Sequence, residues 1–100
     1  MNARLTNDKE LMVTFYEDNS DFDGNDFSCT FHFDRANTLA LLKEIDVEEN
    51  AWDIEKWLKA NVRSQSSGYD FEDFCREYGI HGTRTIHEDY AGGIHREESF

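Results

Sequence analysis

The stretch Glu17 to Phe27, EDNSDFDGNDF, sets five carboxylates and a glycine into eleven residues with no positive charge. Such a stretch can do one of two things: coordinate a hard cation, or present negative charge to a partner. With Gly24 as the turn glycine of a calcium loop of the EF-hand kind, the ligand positions fall on Asn19, Asp21, Asp23, Asn25, Phe27 and Thr30. The ninth position is then a phenylalanine, and the twelfth, which needs a bidentate glutamate, is a threonine. The flanks also read as strands where helices are required. An acidic turn is the better reading, and a weak calcium-dependent module is the alternative.

Other chemistry finds less support. The histidines, His32, His81, His87 and His95, lack the spacing of a zinc site and have no cysteine beside them. His87-Glu88-Asp89 is the nearest approach to an acid/base group, and catalysis there needs a pocket joining it to His81 or His95. There is no GxSxG, and the six glycines never approximate GxGxxG or a Walker loop. Cys29 and Cys75 are not a CxxC pair; buried free thiols are expected, and a disulfide needs the strand and helix that carry them to meet. We expect no enzyme, no cofactor and no metal.

Charge is the unusual property. Twenty-two Asp and Glu oppose ten Lys and Arg, giving −12 in 100 residues. That surface repels nucleic acid and anionic membrane and steers basic partners toward itself. The acids fall into two runs. Between Glu10 and Asp34 there are seven acids and no Lys or Arg, and between Glu44 and Glu55 six acids and again no base. The candidate partner-binding residues are Glu17, Asp18, Asp21, Asp23 and Asp26 in the first run. In the second they are Glu44, Asp46, Glu48, Glu49, Asp53 and Glu55, with Trp52 as the aromatic anchor. Trp52 falls off the face formed by Ala51, Ile54 and Leu58, so it either projects from the surface or packs against the hairpin.

The elements that must position these groups follow from periodicity. Leu11, Val13 and Phe15, then Phe27, Cys29, Phe31 and Phe33, alternate at period two and predict an antiparallel hairpin around a long acidic loop. Arg4 to Thr6 supplies a possible third strand. Asp34 or Asn37 caps a first helix through Leu39, Leu41, Leu42 and Ile45. A second runs from about Glu48–Asn50 to Val62. In the third, Phe71, Phe74, Cys75 and Tyr78 form one stripe, with Asp70 as N-cap, Tyr69 stapled onto Phe74 and Gly79 as the left-handed terminator. Arg84 to Glu88 reads as a short strand, and residues from about 92 as frayed. The expected fold is α+β: one domain over residues 1–100, with a small antiparallel sheet of two or three strands and an N-terminal hairpin packed against about three helices. Its core is Phe15, Phe31, Phe33, Leu42, Ile54, Leu58, Phe71, Phe74 and Tyr78. No run of ten apolar residues exists, so a soluble, intracellular protein is expected.

The segment Gly68 to Ile80, GYDFEDFCREYGI, resembles a helix of small phage-encoded proteins in which Phe-x-x-Phe-Cys precedes a Tyr/Phe-Gly ending. In size, acidity and absence of catalytic motifs the chain is also similar to phage anti-defence proteins of the anti-CRISPR and anti-restriction kind. The resemblance implies a stoichiometric inhibitor in the cytoplasm of a bacterial host, holding a basic nucleic-acid-binding protein by mimicking the charge of its substrate. The charge of −12 argues against a membrane partner and against direct contact with nucleic acid. An immunity protein or antitoxin neutralising a nuclease toxin uses the same physics.

Overall fold

The computed structural model describes residues 1–19, 25–65, 67–89 and 94–100, with backbone alone at strand positions 17–19, 25–27, 88–89 and 94–95. Three strands come first, β1 (Asn2–Leu5), β2 (Leu11–Asn19) and β3 (Asn25–Phe33). Three helices follow, α1 (Arg35–Ile45), α2 (Ala51–Asn61) and α3 (Tyr69–Glu77). Two further strands, β4 (Thr83–Asp89) and β5 (Ile94–Ser99), complete the chain. The sheet is one antiparallel layer in simple order β1-β2-β3-β4-β5. The α+β class is as expected, but the strand count is five among the described residues instead of two or three, and the segment expected to fray is β5.

The sequence marks β4 only as the short strand Arg84 to Glu88 and β5 not at all, for a physical reason. Register places Phe31 opposite Arg84, Cys29 opposite Ile86, Arg84 opposite Glu98 and Ile86 opposite Arg96. The helix-facing row of β4 and β5 therefore alternates charge where β2 and β3 carry Phe and Val, and no apolar period two is left to read. Arg84 is buried. Its Nη1 donates to Glu72 Oε2 at 3.0 Å and its Nη2 to Glu98 Oε2 at 2.8 Å, while its guanidinium lies 5.6 Å from the centre of the Tyr69 ring. Arg76 and Arg96 pair with the same two glutamates, at 3.5 and 3.2 Å. An ion-pair ladder seals the core along this side.

The core itself is aromatic. Phe15, Phe31, Phe33 and Phe71 are fully buried, with ring centres 5.3–5.9 Å apart and mostly edge to face, the arrangement that adds to plain area burial. Phe100 joins them, 5.6 Å from Phe31 and 5.8 Å from Phe33. Gly68 is fixed by this cluster. Its φ is +72°, and a Cβ there would lie 2.6 Å from Phe15 Cδ2 and 2.8 Å from Phe31 Cε2. Thr38 ties α1 to the sheet, its hydroxyl accepting from the Leu11 amide at 3.0 Å and donating to the Phe33 carbonyl at 3.2 Å.

Helix ends follow and depart from expectation in instructive ways. Asp34 caps α1, accepting the Asn37 N–H at 2.8 Å, and that amide holds its carboxyl below the ordinary range. Gly79 is left-handed, and the Ile80 N–H reaches the Cys75 carbonyl at 2.8 Å, closing α3 as a Schellman motif over a buried Ile80. Asp70 is not the N-cap. Gly68 occupies that position with no side-chain cap, and Asp70 instead accepts the amides of Arg63 and Ser64 at 2.6 and 2.9 Å. Phe74 packs on Trp57 and Tyr78, so Tyr69, drawn under Arg84, is no staple for it. Tyr78 itself is half exposed because it lies at the C-cap, past the last turn that faces the sheet.

Candidate functional site

The junction of α1 and α2 gathers most of the second acidic run. α1 stops at Asp46, whose φ of 54° is left-handed, and the Val47 N–H returns to the Leu42 carbonyl at 3.2 Å. The chain then turns at Glu48, with the Asn50 N–H on the Glu48 carbonyl at 2.8 Å. Asn50 caps α2 in both directions: its Oδ1 accepts the Asp53 N–H at 2.8 Å and its Nδ2 donates to Asp53 Oδ2 at 2.8 Å. The acidic loop is held by backbone geometry at both ends.

Within it the carboxylates are not equivalent. Glu44, Asp46 and Glu48 are exposed, whereas Glu49, Asp53 and Glu55 are half-buried. Arg35 donates to Glu49 Oε1 and also to the Lys9 carbonyl at 3.3 Å, so Glu49 is neutralised and pinned to the β1–β2 turn. Trp52 is 77% exposed. The reading in which it packs against the hairpin is thereby set aside.

Two concavities flank the exposed ridge of α2. One, of about 280 Å³, lies among Trp52, Glu55, Lys56 and Lys59. The other, of about 390 Å³, has Val47, Trp57 and Ala60 as its apolar lining, Asp46, Glu48 and Asp53 as its carboxylates and Lys56 as its cation. Trp57 is half-buried against the core, its ring centre 5.6 Å from that of Phe74. The acids were legible as a cluster; the cavity they border was not, because it depends on how the 46–48 loop crosses α2. Lys56 and Arg35, which dilute the negative field, lie outside or opposite the run in sequence and gave no signal of doing so.

The first acidic run behaves differently. The periodicity predicts a loop at Glu17, Asp18 and Asp26, but their backbone continues β2 and β3, with Glu17 opposite Phe27 and Asp18 opposite Asp26; their side chains lie outside the described residues, as do Asp21 and Asp23. Glu10, at the near end, pairs with His32 Nε2 at 3.0 Å. Asp18 is seven strand steps from Leu11, or about 23 Å at ~3.3 Å per residue. The α1–α2 junction is anchored beside Lys9, at the other end. The fold therefore sets Asp18 apart from that junction by most of β2, whereas Glu10, of the same run, lies next to Lys9 at the near end.

Of the remaining chemical groups, His87 stands directly opposite His95 across β4 and β5, and the side chains of His95, Glu88 and Asp89 lie outside the described residues. His81 lies at the chain end of the sheet, its Nδ1 3.2 Å from the Phe100 carbonyl oxygen, while His87 is exposed well along β4, so the two do not share a pocket. Among the described residues, no three His, Cys, Asp or Glu side chains converge as a metal ion would require. Cys29 and Cys75 are free and buried, and burial pushes their thiols up to about 11 and about 12. Among the described residues no helix is long and apolar enough to cross a membrane. No family model, curated protein or solved structure matches the chain.

Proposed function

We propose that this protein is a non-catalytic acidic inhibitor that docks on a basic nucleic-acid-handling protein and covers its nucleic-acid site. The observation that supports it most directly is Trp52, a large exposed ring on a rigid helix, flanked by Asp53 and Glu55 and preceded by Asp46 and Glu48. Exposed tryptophan with surrounding charge is the composition of an interface anchor. Duplex DNA carries one negative charge per ~1.7 Å of axis, and the grooves that hold it are lined by Lys and Arg. The ~23 Å of β2 between Leu11 and Asp18 corresponds to about seven base pairs at ~3.4 Å each. A duplex-length groove can meet both runs, while a smaller basic site meets only the α1–α2 junction.

The test is capture from bacterial lysate at low salt, identification of the partner, and competition against its nucleic acid. Affinity is expected to fall at least about tenfold between 50 and 500 mM salt, as screening weakens charge-steered association. Trp52→Ala should weaken binding by about 2 kcal/mol with no change in fold. Binding that ignores salt, or a partner that keeps its nucleic acid in the complex, removes the charge-mimicry mechanism.

A further inference from the structure

We infer that the cavity beside Trp57 is a receptor for a single arginine side chain of the basic partner. This rests on the reading just given, and goes further by naming the group that enters and the place where it lodges. Carboxylates alone would be solvated surface. What distinguishes this place is an indole fixed from behind: Trp57 is packed against the core and braced by Phe74 at 5.6 Å between ring centres. Val47 and Ala60 extend the apolar lining of what is an open surface concavity of about 390 Å³. It suits a side chain better than a folded element.

The charge around that lining is negative. Asp46, Glu48 and Asp53 contribute three carboxylates and Lys56 one cation, a lining charge of −2. Asp53 is pre-set by its two hydrogen bonds with Asn50. Asp46 sits at the C-terminal end of α1, where the helix dipole adds to the negative potential. An anionic ligand is repelled here, and a purely apolar one would strip water from the carboxylates without replacing it. A long cationic side chain satisfies both halves, its methylenes on the apolar lining and its head among the carboxylates. Arginine suits the place better than lysine. Its planar guanidinium stacks on an indole and forks onto a carboxylate, whereas an ammonium is a compact, strongly hydrated point charge.

The chain has two tryptophans, Trp52 and Trp57, so Trp52→Phe leaves Trp57 as the sole indole reporter. Hexa-arginine and hexa-lysine peptides, equal in charge, are titrated into that variant at low salt while Trp57 fluorescence is followed. The arginine peptide is expected to bind about tenfold more tightly than the lysine peptide and to perturb Trp57 directly. Asp46→Asn with Glu48→Gln should lose that preference, while Lys56→Ala, at an exposed position, should tighten arginine binding about threefold by removing the opposing cation. Trp57→Leu should bring arginine to the level of lysine; if that variant loses its fold, the arginine-over-lysine ratio in Asp46→Asn with Glu48→Gln decides the matter, and a preference that survives there overturns the assignment. Equal affinity for the two peptides overturns the arginine receptor while leaving the salt-dependent acidic surface standing. Salt-insensitive capture of the partner removes the surface reading itself, so the two failures are distinguishable.

Discussion

Asp70 sits two residues into the capped end of α3, and its carboxylate reaches back to the Arg63 and Ser64 amides at 2.6 and 2.9 Å. Partial burial pushes its carboxyl up, but the two amide hydrogen bonds outweigh that and hold it below the ordinary 3.8. A carboxyl lowered by folding contributes stability that is present above its unfolded value and is lost as pH falls through the folded one. Asp70→Asn should therefore cost about 1 kcal/mol at pH 7, with the gap between variant and parent closing below about pH 4; urea titrations across that range read it directly, and a gap that persists at pH 2 contradicts the assignment. The thiols run the other way. Folding raises both, so their contribution is complete below the unfolded value near 9 and is lost as pH climbs toward about 11 and about 12. At pH 8 neither should react with a thiol reagent in the native protein, and both should react in denaturant, as a count of labelled thiols by mass will show.

At the scale of elements, what could be read from sequence was what apolar periodicity controls. β2 and β3 alternate apolar and polar residues, and the buried Leu11, Val13, Phe15, Phe31 and Phe33 lie where that alternation puts them. The end of α3 was readable too, because a left-handed glycine before an apolar residue has one efficient geometry. β4 and β5 were not readable to that degree, since the Arg84, Glu72 and Glu98 ladder stands in for apolar contacts. That substitution has a measurable consequence. With the Arg84 and Glu72 side chains only 10% and 12% exposed, Arg84→Ala leaves Glu72 largely buried with only the longer contact to Arg76, and should destabilise by about 3 kcal/mol. Replacing both partners with apolar groups, Arg84→Met with Glu72→Leu, should cost distinctly less than the single change. Urea midpoints for the three proteins decide it, and a double variant as unstable as the single one would mean that the ladder is worth more than its apolar replacement.

For the whole molecule, net charge could be read from composition, but its placement could not. Composition gave −12 and two acidic runs; the fold neutralises Glu49 with Arg35 and pairs Glu10 with His32. Among the described residues, the α1–α2 junction with Trp52 is where exposed carboxylates stay together. Self-repulsion and partner attraction then respond to salt in opposite directions. A chain at −12 is strained by its own field, so screening should stabilise it, with Tm rising by several degrees between 10 and 300 mM sodium chloride. The same screening should weaken its hold on a basic partner over the same range. Circular-dichroism melts and binding titrations run in one set of buffers give both slopes. Lys substitutions at the exposed Glu44, Asp46 and Glu48 separate their origins: the Tm slope should flatten modestly, because any three exposed acids contribute equally to net charge, whereas the binding slope should collapse if these particular acids face the partner. Equal changes in both slopes would mean that net charge alone, and not its arrangement on this helical junction, draws the partner in.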